Sequence, residues 1–328
     1  MHEAESVRRD DVFRSIRDGC RRVAEHAESV RIVSERLEAL ANRLVVDGAP
    51  TPALDVESHY VGDESTTVAF FLTLDAVNFG SGYFPHLRKR PGMSGYFTIA
   101  SSLADRFRRE GPIDASELAE IDASACARIF DQDAAVEPIA ELMSLFAQAW
   151  NDLGADLLHR FGGAFCGVVE AAAGSAARLI EILEAQPFFR DVSQYDGFEV
   201  PLFKRAQILA SDLALALRDT GPGRFEDLDR LTIFADNLVP HVLRVDGVLE
   251  YRSDLRERIE REELIPAGSE EEIEIRACAL YAVELLVDQA RARGLAVTAR
   301  ELDLFLWNRG QQATYKARPR HRTRTVFY

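Results

Sequence analysis

An aspartate inside a long apolar run is the residue of this chain best placed to do chemistry. Asp236 lies in "LTIFADNLVPHVL", residues 231–243, with Pro240 four residues after it. Proline disfavours the helical conformation of the preceding residue and suits the first turn of a helix, so residues 236–239 are predicted to connect two helices. Asp236 can cap the second helix. It can also stabilise positive charge, because little solvent competes with a carboxylate in an apolar junction.

A polar stripe is predicted on the helix of "PLFKRAQILASDLALAL", residues 201–217. Lys204, Gln207 and Ser211 are spaced by three and four residues and therefore share one helical face. Apolar residues fill most of the remaining circumference. One interpretation of the stripe is a solvated face, and the other is a mostly buried helix that lines a polar pocket.

Carboxylate, amide and aromatic groups occur together in "FFLTLDAVNFGSGYF", residues 70–84. Asp75 and Asn78 stand three residues apart, and Phe79 follows directly. Asn and Asp close to glycine often only build turns. The same groups can recognise a flat heterocycle, through hydrogen bonds to its edge and stacking on its face.

A second carboxylate and aromatic pair lies in "ELDLFLWNRGQ", residues 301–311. Asp303 and Trp307 are one helical turn apart. A tryptophan is more often part of the core than a stacking platform. The basic segment that follows it in the chain favours the pocket interpretation.

That basic segment is the last charged stretch of the sequence. Its cations are Lys316, Arg318, Arg320, His321, Arg322 and Arg324. Such a run is often a solvated tail. Here it closes with Val326, Phe327 and Tyr328, so we expect it to dock and to carry its basic groups back to the body of the protein.

Composition limits the protein class. The chain has 328 residues with 47% hydrophobic content, enough for a substantial core, and a formal net charge of −15. A nucleic-acid polymer would be repelled by this charge. The four cysteines form no CxxC pair and have no histidine at zinc-like spacing, so neither a disulfide framework nor a zinc site is indicated. With no signal-peptide core and no long apolar run, we expect a cytoplasmic protein without membrane contact.

Helical spacing dominates the chain, and no linker divides it. Helices are predicted at 12–27, 32–45, 138–163 and 268–294. The last of these begins with a capping box of Ser269 and Glu272, and the one before it stops at Gly162. Short strands are predicted at 67–72 and in a hairpin around Gly197. We expect one domain over residues 1–328, with two helical lobes as a variant.

Several segments in one order resemble the queuosine salvage family, the queuosine 5'-phosphate N-glycosylases. The segments are "LDAVNFGSGYF", "DVSQYDGFEVPLFKRAQILASDL", "LTIFADNLVPHVL", "GSEEEIEIRACALYAVELL" and "HRTRTVFY". The resemblance covers most of residues 60–328. It implies an all-α fold of the helix-hairpin-helix DNA-glycosylase type with minor short strands. It also implies hydrolysis of queuosine 5'-monophosphate to queuine and ribose 5-phosphate, for queuine salvage into tRNA modification, without a metal or organic cofactor.

The resemblance also implies roles for individual residues. Asp236 of the "FAD" motif is expected to be the catalytic carboxylate, because cleavage of a ribosyl C–N bond builds positive charge on the sugar. Lys204 is expected near the phosphate, with candidate partners His321, Arg322 and Arg324. The candidates for the base and ribose are Asp75, Asn78, Phe79, Gln207, Asn237, Asp303 and Trp307. An acidic partner is expected for the cationic amine of queuine, and Asp303 or Asp75 can serve.

Two other functions compete with this one. A glycosylase that acts on DNA or on another base would need a basic face and a wedge for base flipping, which the net charge of −15 disfavours. A non-catalytic helical binding protein would place Asp236, Lys204 and the basic segment on separate surfaces. We therefore expect a monomeric enzyme with a small-molecule substrate and no nucleic-acid polymer as partner.

Overall fold

A computed structural model describes residues 11–47 and 52–328, so residues 1–10 and 48–51 lie outside the described residues. In chain order the helices are α1 (Asp11–His26), α2 (Ser34–Asp47), α3 (Glu64–Ala76), α4 (Gly95–Glu110), α5 (Ala115–Glu120), α6 (Ala123–Ile129), α7 (Glu137–Phe161), α8 (Phe165–Ala172), α9 (Ala176–Leu183), α10 (Lys204–Leu217), α11 (Leu238–Val245), α12 (Ser253–Glu260), α13 (Glu270–Ala292), α14 (Ala299–Gly310) and α15 (Ala313–Lys316). The strands are β1 (Val30–Ile32), β2 (Val192–Tyr195), β3 (Phe198–Pro201) and β4 (Leu249–Tyr251).

The predicted fold class is confirmed, because the described part of the chain is mostly helical and contains only two short antiparallel strand pairs, β1–β4 and β2–β3. Its relation to helix-hairpin-helix DNA glycosylases stays a prediction. In the described part of the chain, none of the helices has the length and apolar character needed to cross a membrane.

The chain groups into two compact units, each assembled from three segments. The first contains the described residues up to Pro52, together with Asp191–Lys204 and Asp229–Arg324. The second contains Ala53–Arg190, Arg205–Leu228 and Thr325–Tyr328.

In the first unit, α13 packs against α1, α2 and β1, and α11 packs against α14 and β4. Gly310 permits a close approach of α14 to α11, because a Cβ there would lie 2.7 Å from Leu238 Cδ1. The capping box predicted at the start of α13 is only half formed. Ser269 accepts the hydrogen bond of the Glu272 N–H, but the Glu272 carboxylate accepts from the Gly268 N–H instead of closing the box.

A complete capping box begins α14, the helix that carries Asp303. The Thr298 hydroxyl accepts from the Glu301 N–H at 3.2 Å, and the Glu301 carboxylate accepts from the Thr298 N–H at 2.8 Å. Both bonds satisfy donors that a helix start would otherwise leave unpaired. The position of Asp303 is thus fixed by a local sequence signal.

In the second unit, α7 packs against α3, α5 and α6. It ends at Gly162, which has a φ of 59°, as the sequence predicted. The strand predicted at 67–72 is wrong, because these residues belong to α3, whose residues 67–76 are all buried. An apolar run without a polar face fits a buried strand and a buried helix equally. The Asp63 side chain, which accepts from the Thr66 N–H at 2.8 Å, caps the helix.

Residues 236–239 were predicted to connect two helices, but residues 231–235 adopt no regular secondary structure, so only the second helix forms, from Leu238. The other local predictions are confirmed. The hairpin forms as β2 and β3, with positive φ at both Asp196 and Gly197 in its turn. The basic segment docks: in the first unit the Arg322 carbonyl accepts from the Ile265 N–H at 2.8 Å, and in the second unit the Tyr328 carbonyl accepts from the Gly80 N–H at 2.9 Å.

Candidate active site

Asp236 is both a helix cap and an accessible carboxylate. Its Oδ1 accepts the N–H groups of Leu238 at 2.6 Å and Val239 at 3.1 Å, at the start of α11. Among the described residues, none donates a hydrogen bond to Oδ2. Asp236 is also the only residue of 231–243 that is not buried. The capping contact therefore fixes the carboxylate and leaves one oxygen available for chemistry.

A second carboxylic acid, Asp303 on α14, lies near Asp236. It is buried, and its Oδ1 accepts the Phe234 N–H at 2.9 Å, two residues before Asp236. Burial raises the pKa of Asp303 to about 7, and the negative charge of Asp236 adds to this effect. The Phe234 N–H and the Lys204 ammonium act in the opposite direction. At neutral pH a large fraction of Asp303 is consequently protonated.

Two cations complete this cluster. Lys204, the first residue of α10, is buried, and its charge acts on Asp303. Arg320, from the basic segment, interacts electrostatically with Asp236, which opposes the lowering of the Arg320 pKa by burial. Asp236, Asp303, Lys204 and Arg320 therefore form one electrostatic cluster within the first unit. A scaffold with these groups on separate surfaces would not have this arrangement.

The other cations of the basic segment have different surroundings. His321 is buried, and burial together with neighbouring positive charges lowers its pKa to about 3, so it is uncharged at neutral pH. The Arg322 guanidinium donates to the Glu262 carbonyl and lies 3.6 Å from the Glu262 carboxylate. Arg324 is partly exposed at the end of the first unit. The electrostatic interaction of Arg320 with Asp236 adds Arg320 to the candidate cations near the reacting groups.

Asn237 and Trp307 flank the cluster in the sequence. The Asn237 amide donates to the His321 carbonyl at 3.4 Å, so it joins the Asp236 segment to the basic segment. Trp307 lies on α14, one turn after Asp303, and is partly exposed, unlike a core tryptophan.

Four other candidates lie in the second unit. Asp75 is buried at the end of α3, and its Oδ1 accepts from the Asn78 amide at 3.0 Å. Phe79 is 2% exposed and contacts the Phe146 ring edge-to-face, with a centroid distance of 5.1 Å. Gln207 is buried on α10. Lys204, Gln207 and Ser211 are all buried, so the polar stripe of this helix is not a solvated face.

Sequence reasoning missed several charged residues that organise these groups. In the second unit, the buried Arg205 guanidinium donates to the Asp75 carbonyl at 3.1 Å and lies 5.0 Å from the centroid of the Phe79 ring. In the first unit, Asp191 and Arg276 form a buried ion pair. Arg276 donates to the Ala235 carbonyl, and Asp191 accepts from the Lys204 N–H. Arg276 lies in "IEIRACAL", a mostly apolar stretch of α13, a signal that could have identified it.

Comparisons with known proteins support a single family. A profile described as queuosine salvage protein matches residues 58–328. A Sphaerobacter thermophilus protein named queuosine 5'-phosphate N-glycosylase/hydrolase is 39% identical over 94% of this chain and 96% of its own length. Proteins of the same name from Mus musculus and Dictyostelium discoideum are 29% and 31% identical, over 96% and 84% of this chain and 98% and 82% of their own lengths.

Proposed function

The chain belongs to the queuosine salvage protein family, and on this basis we propose that it hydrolyses the N-glycosidic bond of queuosine 5'-monophosphate to queuine and ribose 5-phosphate. One observation carries the proposal to particular residues. In the buried run 231–243, the Asp236 carboxylate is held by hydrogen bonds from the start of α11 and keeps one oxygen available. It lies near a second carboxylic acid, Asp303, and a cation, Arg320. This is the arrangement that acid–base cleavage of a glycosidic bond uses.

Asp236 is proposed to act on the sugar and the water. As the C–N bond breaks, positive charge develops on the ribose, and a fixed carboxylate stabilises it. The Oδ2 oxygen takes a proton from the attacking water, whose hydroxide joins the ribose carbon. Because Oδ1 already accepts two backbone hydrogen bonds, the carboxylate needs little reorganisation during the reaction.

Asp303 is proposed to act on the leaving base. The bonding electrons of the C–N bond remain on the ring nitrogen of the base, which needs a proton there to leave as queuine. Asp303 can donate that proton, because burial and the charge of Asp236 raise its pKa to about 7. Two carboxyl groups whose environments separate their protonation states divide the acid and base roles between them.

The phosphate is assigned to Lys204 and Arg320. Both are cations of the same electrostatic cluster as Asp236 and Asp303. A phosphate monoester carries close to two negative charges at neutral pH and is bound by such groups. Binding energy from this end of the substrate can be used to hold the ribose against Asp236. His321, Arg322 and Arg324 then have supporting roles in anchoring the basic segment.

For the base and ribose, we propose that Trp307 supplies a stacking face and that Asn237 supplies an amide. The remaining candidates are the second-unit residues Asp75, Asn78, Phe79 and Gln207. We further propose that residues 1–328 form one monomeric glycosylase domain, acting on a mononucleotide and not on a nucleic-acid polymer. The free cysteines favour a reducing compartment, for which we propose the cytoplasm.

The deciding experiment measures release of queuine from queuosine 5'-monophosphate by chromatography, for the wild type and Asp236→Asn. We expect the wild type to release queuine and the variant to be slower by about 10³-fold or more. Its melting temperature should hardly change, because the asparagine oxygen can still accept the Leu238 and Val239 N–H groups.

Asp246→Asn is the matched control, at the opposite end of α11. It weakens the ion pair with Arg309, which has an N–O distance of 3.0 Å, so it should lower the melting temperature and leave turnover unchanged. Absence of queuine release by the wild type would refute the proposed reaction. Full turnover by Asp236→Asn would refute only the role of Asp236 and would leave the proposed reaction in place.

A further inference from the structure

A buried arginine contacts the residue directly before Asp236. Arg276, on α13, is 1% exposed. Its Nε donates to the Ala235 carbonyl at 2.9 Å. Its two terminal nitrogens donate to the two oxygens of Asp191, at 2.9 Å and 2.7 Å. The guanidinium therefore fixes the orientation of the peptide group that joins Ala235 to Asp236.

Asp191, the carboxylate that pairs with Arg276, contacts the backbone at the second site residue, Lys204. Asp191 is 2% exposed, and its Oδ2 also accepts the Lys204 N–H at 3.1 Å. Its carbonyl accepts the N–H groups of Leu202 at 2.9 Å and Phe203 at 3.3 Å. Three consecutive N–H groups thus converge on Asp191, and Phe203 adopts a φ of 47° within them. A phenylalanine in this left-handed region is strained, so the surrounding contacts must hold it there.

A buried ion pair is weak evidence for stabilisation. Desolvation of the two charges roughly cancels their attraction, and apolar residues of similar volume often stabilise a protein equally well or better. A role in placing the backbone explains the same geometry more directly. Each member of this pair makes a further hydrogen bond to the main chain: Asp191 to the N–H of Lys204, and Arg276 to the carbonyl of Ala235, directly before Asp236.

We propose that Arg276 and Asp191 are positioning residues that set the spacing between the Asp236 carboxylate and the Lys204 ammonium. This inference rests on the proposed function, in which Asp236 acts at the ribose and Lys204 at the phosphate. A ribose 5-phosphate group has a fixed span between its anomeric carbon and its phosphorus. The protein must match this span, because a displacement of about 1 Å from productive geometry can cost about 100-fold in rate.

Arg276→Lys separates positioning from charge. Lysine keeps the positive charge and can still pair with Asp191, but one ammonium cannot reproduce both the two-pronged contact and the Nε bond to Ala235. We expect kcat to fall by about 10- to 100-fold, with KM within about threefold of the wild type. Assays are made well below the melting temperature of each variant.

The pH profile supplies a readout that loss of folded protein cannot imitate. A smaller folded fraction lowers the rate equally at every pH. Displacement of Asp236 from Asp303 weakens their repulsion, so in Arg276→Lys the pH at which kcat declines should move to lower values.

Glu274→Gln is the matched control, on the same helix two residues away. The buried Glu274 carboxylate accepts the N–H groups of Glu28, Ser29 and Val30, between 2.7 and 3.1 Å, far from Asp236 in the chain. Its loss should lower the melting temperature without changing kcat or the pH profile.

The double variant Arg276→Met/Asp191→Leu tests the alternative that the pair is only structural. It replaces both charges with apolar side chains of similar size and removes both backbone contacts. The proposal predicts a folded but slow enzyme. It is overturned if either the double variant or Arg276→Lys is folded and has the wild-type kcat and pH profile. If the wild type itself releases no queuine, the proposed function fails instead.

Discussion

Asp303 lies buried near Asp236, and the two carboxyl groups have opposite environments. The Asp236 carboxylate is partly exposed and accepts hydrogen bonds from two backbone N–H groups, whereas the Asp303 carboxyl group is buried and accepts a hydrogen bond from one. Burial, with the charge of Asp236, raises the pKa of Asp303 to about 7. One site can therefore hold a charged carboxylate and a protonated acid together, which is what a proton donor and a proton acceptor require.

Turnover should depend on the protonation of Asp303. Above a pH of about 7 the acid loses its proton, so kcat should fall as pH rises through this value. Asp303→Asn should be slower at all pH values and should lack this decline, because an amide cannot donate a titratable proton. The measurement is kcat for queuine release from about pH 5.5 to 9. A rate that instead rises through pH 7 would show that the ionised form of Asp303 is the active one.

The same ionisation should change stability. The pKa of Asp303 is about 7 in the folded protein and about 3.9 in an unfolded chain, so the folded state binds more protons between these values. The stability contributed by protonated Asp303 is present below about pH 4 and is lost as pH rises through about 7. The difference in melting temperature between Asp303→Asn and the wild type should grow in favour of the variant across this window. A constant difference would contradict the raised pKa.

Lys204 should determine the preference for a nucleotide. Replacement by methionine keeps the length of the buried side chain and removes its charge. We expect kcat/KM for queuosine 5'-monophosphate to fall by about 10- to 100-fold, with a change of less than about threefold for the nucleoside queuosine. Lys316→Met, at an exposed lysine of α15, is the control and should change neither value. Equal losses on both substrates would assign Lys204 to a step other than phosphate binding.

Histidines near the basic segment should make the protein sensitive to acid. His241 on α11 is buried, its Nε2 lies 2.9 Å from the Tyr315 carbonyl, and burial lowers its pKa to about 4. The unfolded chain, with a pKa of about 6.5, binds more protons below that pH. The stability contributed by neutral His241 is therefore complete above about pH 6.5 and is lost as pH falls toward 4.

His241→Gln tests this sign, because the glutamine amide can still donate to the Tyr315 carbonyl. Melting temperatures are compared between about pH 5 and 7, where few carboxyl groups titrate. The wild type should lose stability relative to the variant as the pH falls. Parallel curves for the two proteins would mean that His241 titrates normally.

Local sequence signals determined most of the secondary structure and the positions of the polar groups. The helix start after Asp236, the polar stripe that begins at Lys204 and the hairpin turn at Gly197 depend on spacing, proline and glycine, which act within a few residues. The strand predicted at 67–72 failed for the complementary reason. A uniformly apolar run has no local feature that distinguishes a buried helix from a buried strand.

Tertiary structure decided which polar groups act together. Asp303 contacts the Phe234 N–H across 69 residues of chain, and Arg276 contacts Asp191 across 85. No spacing rule reaches so far, so Arg276 and Asp191 were missed and Arg320 was not distinguished from its neighbours. The charge state of Asp303 also depends on burial and on the proximity of Asp236, which exist only in the folded chain. The sequence by itself determined where carboxylates and cations stand along the chain, and folding decided which of them are desolvated, paired or left available, because those properties arise from three-dimensional neighbours.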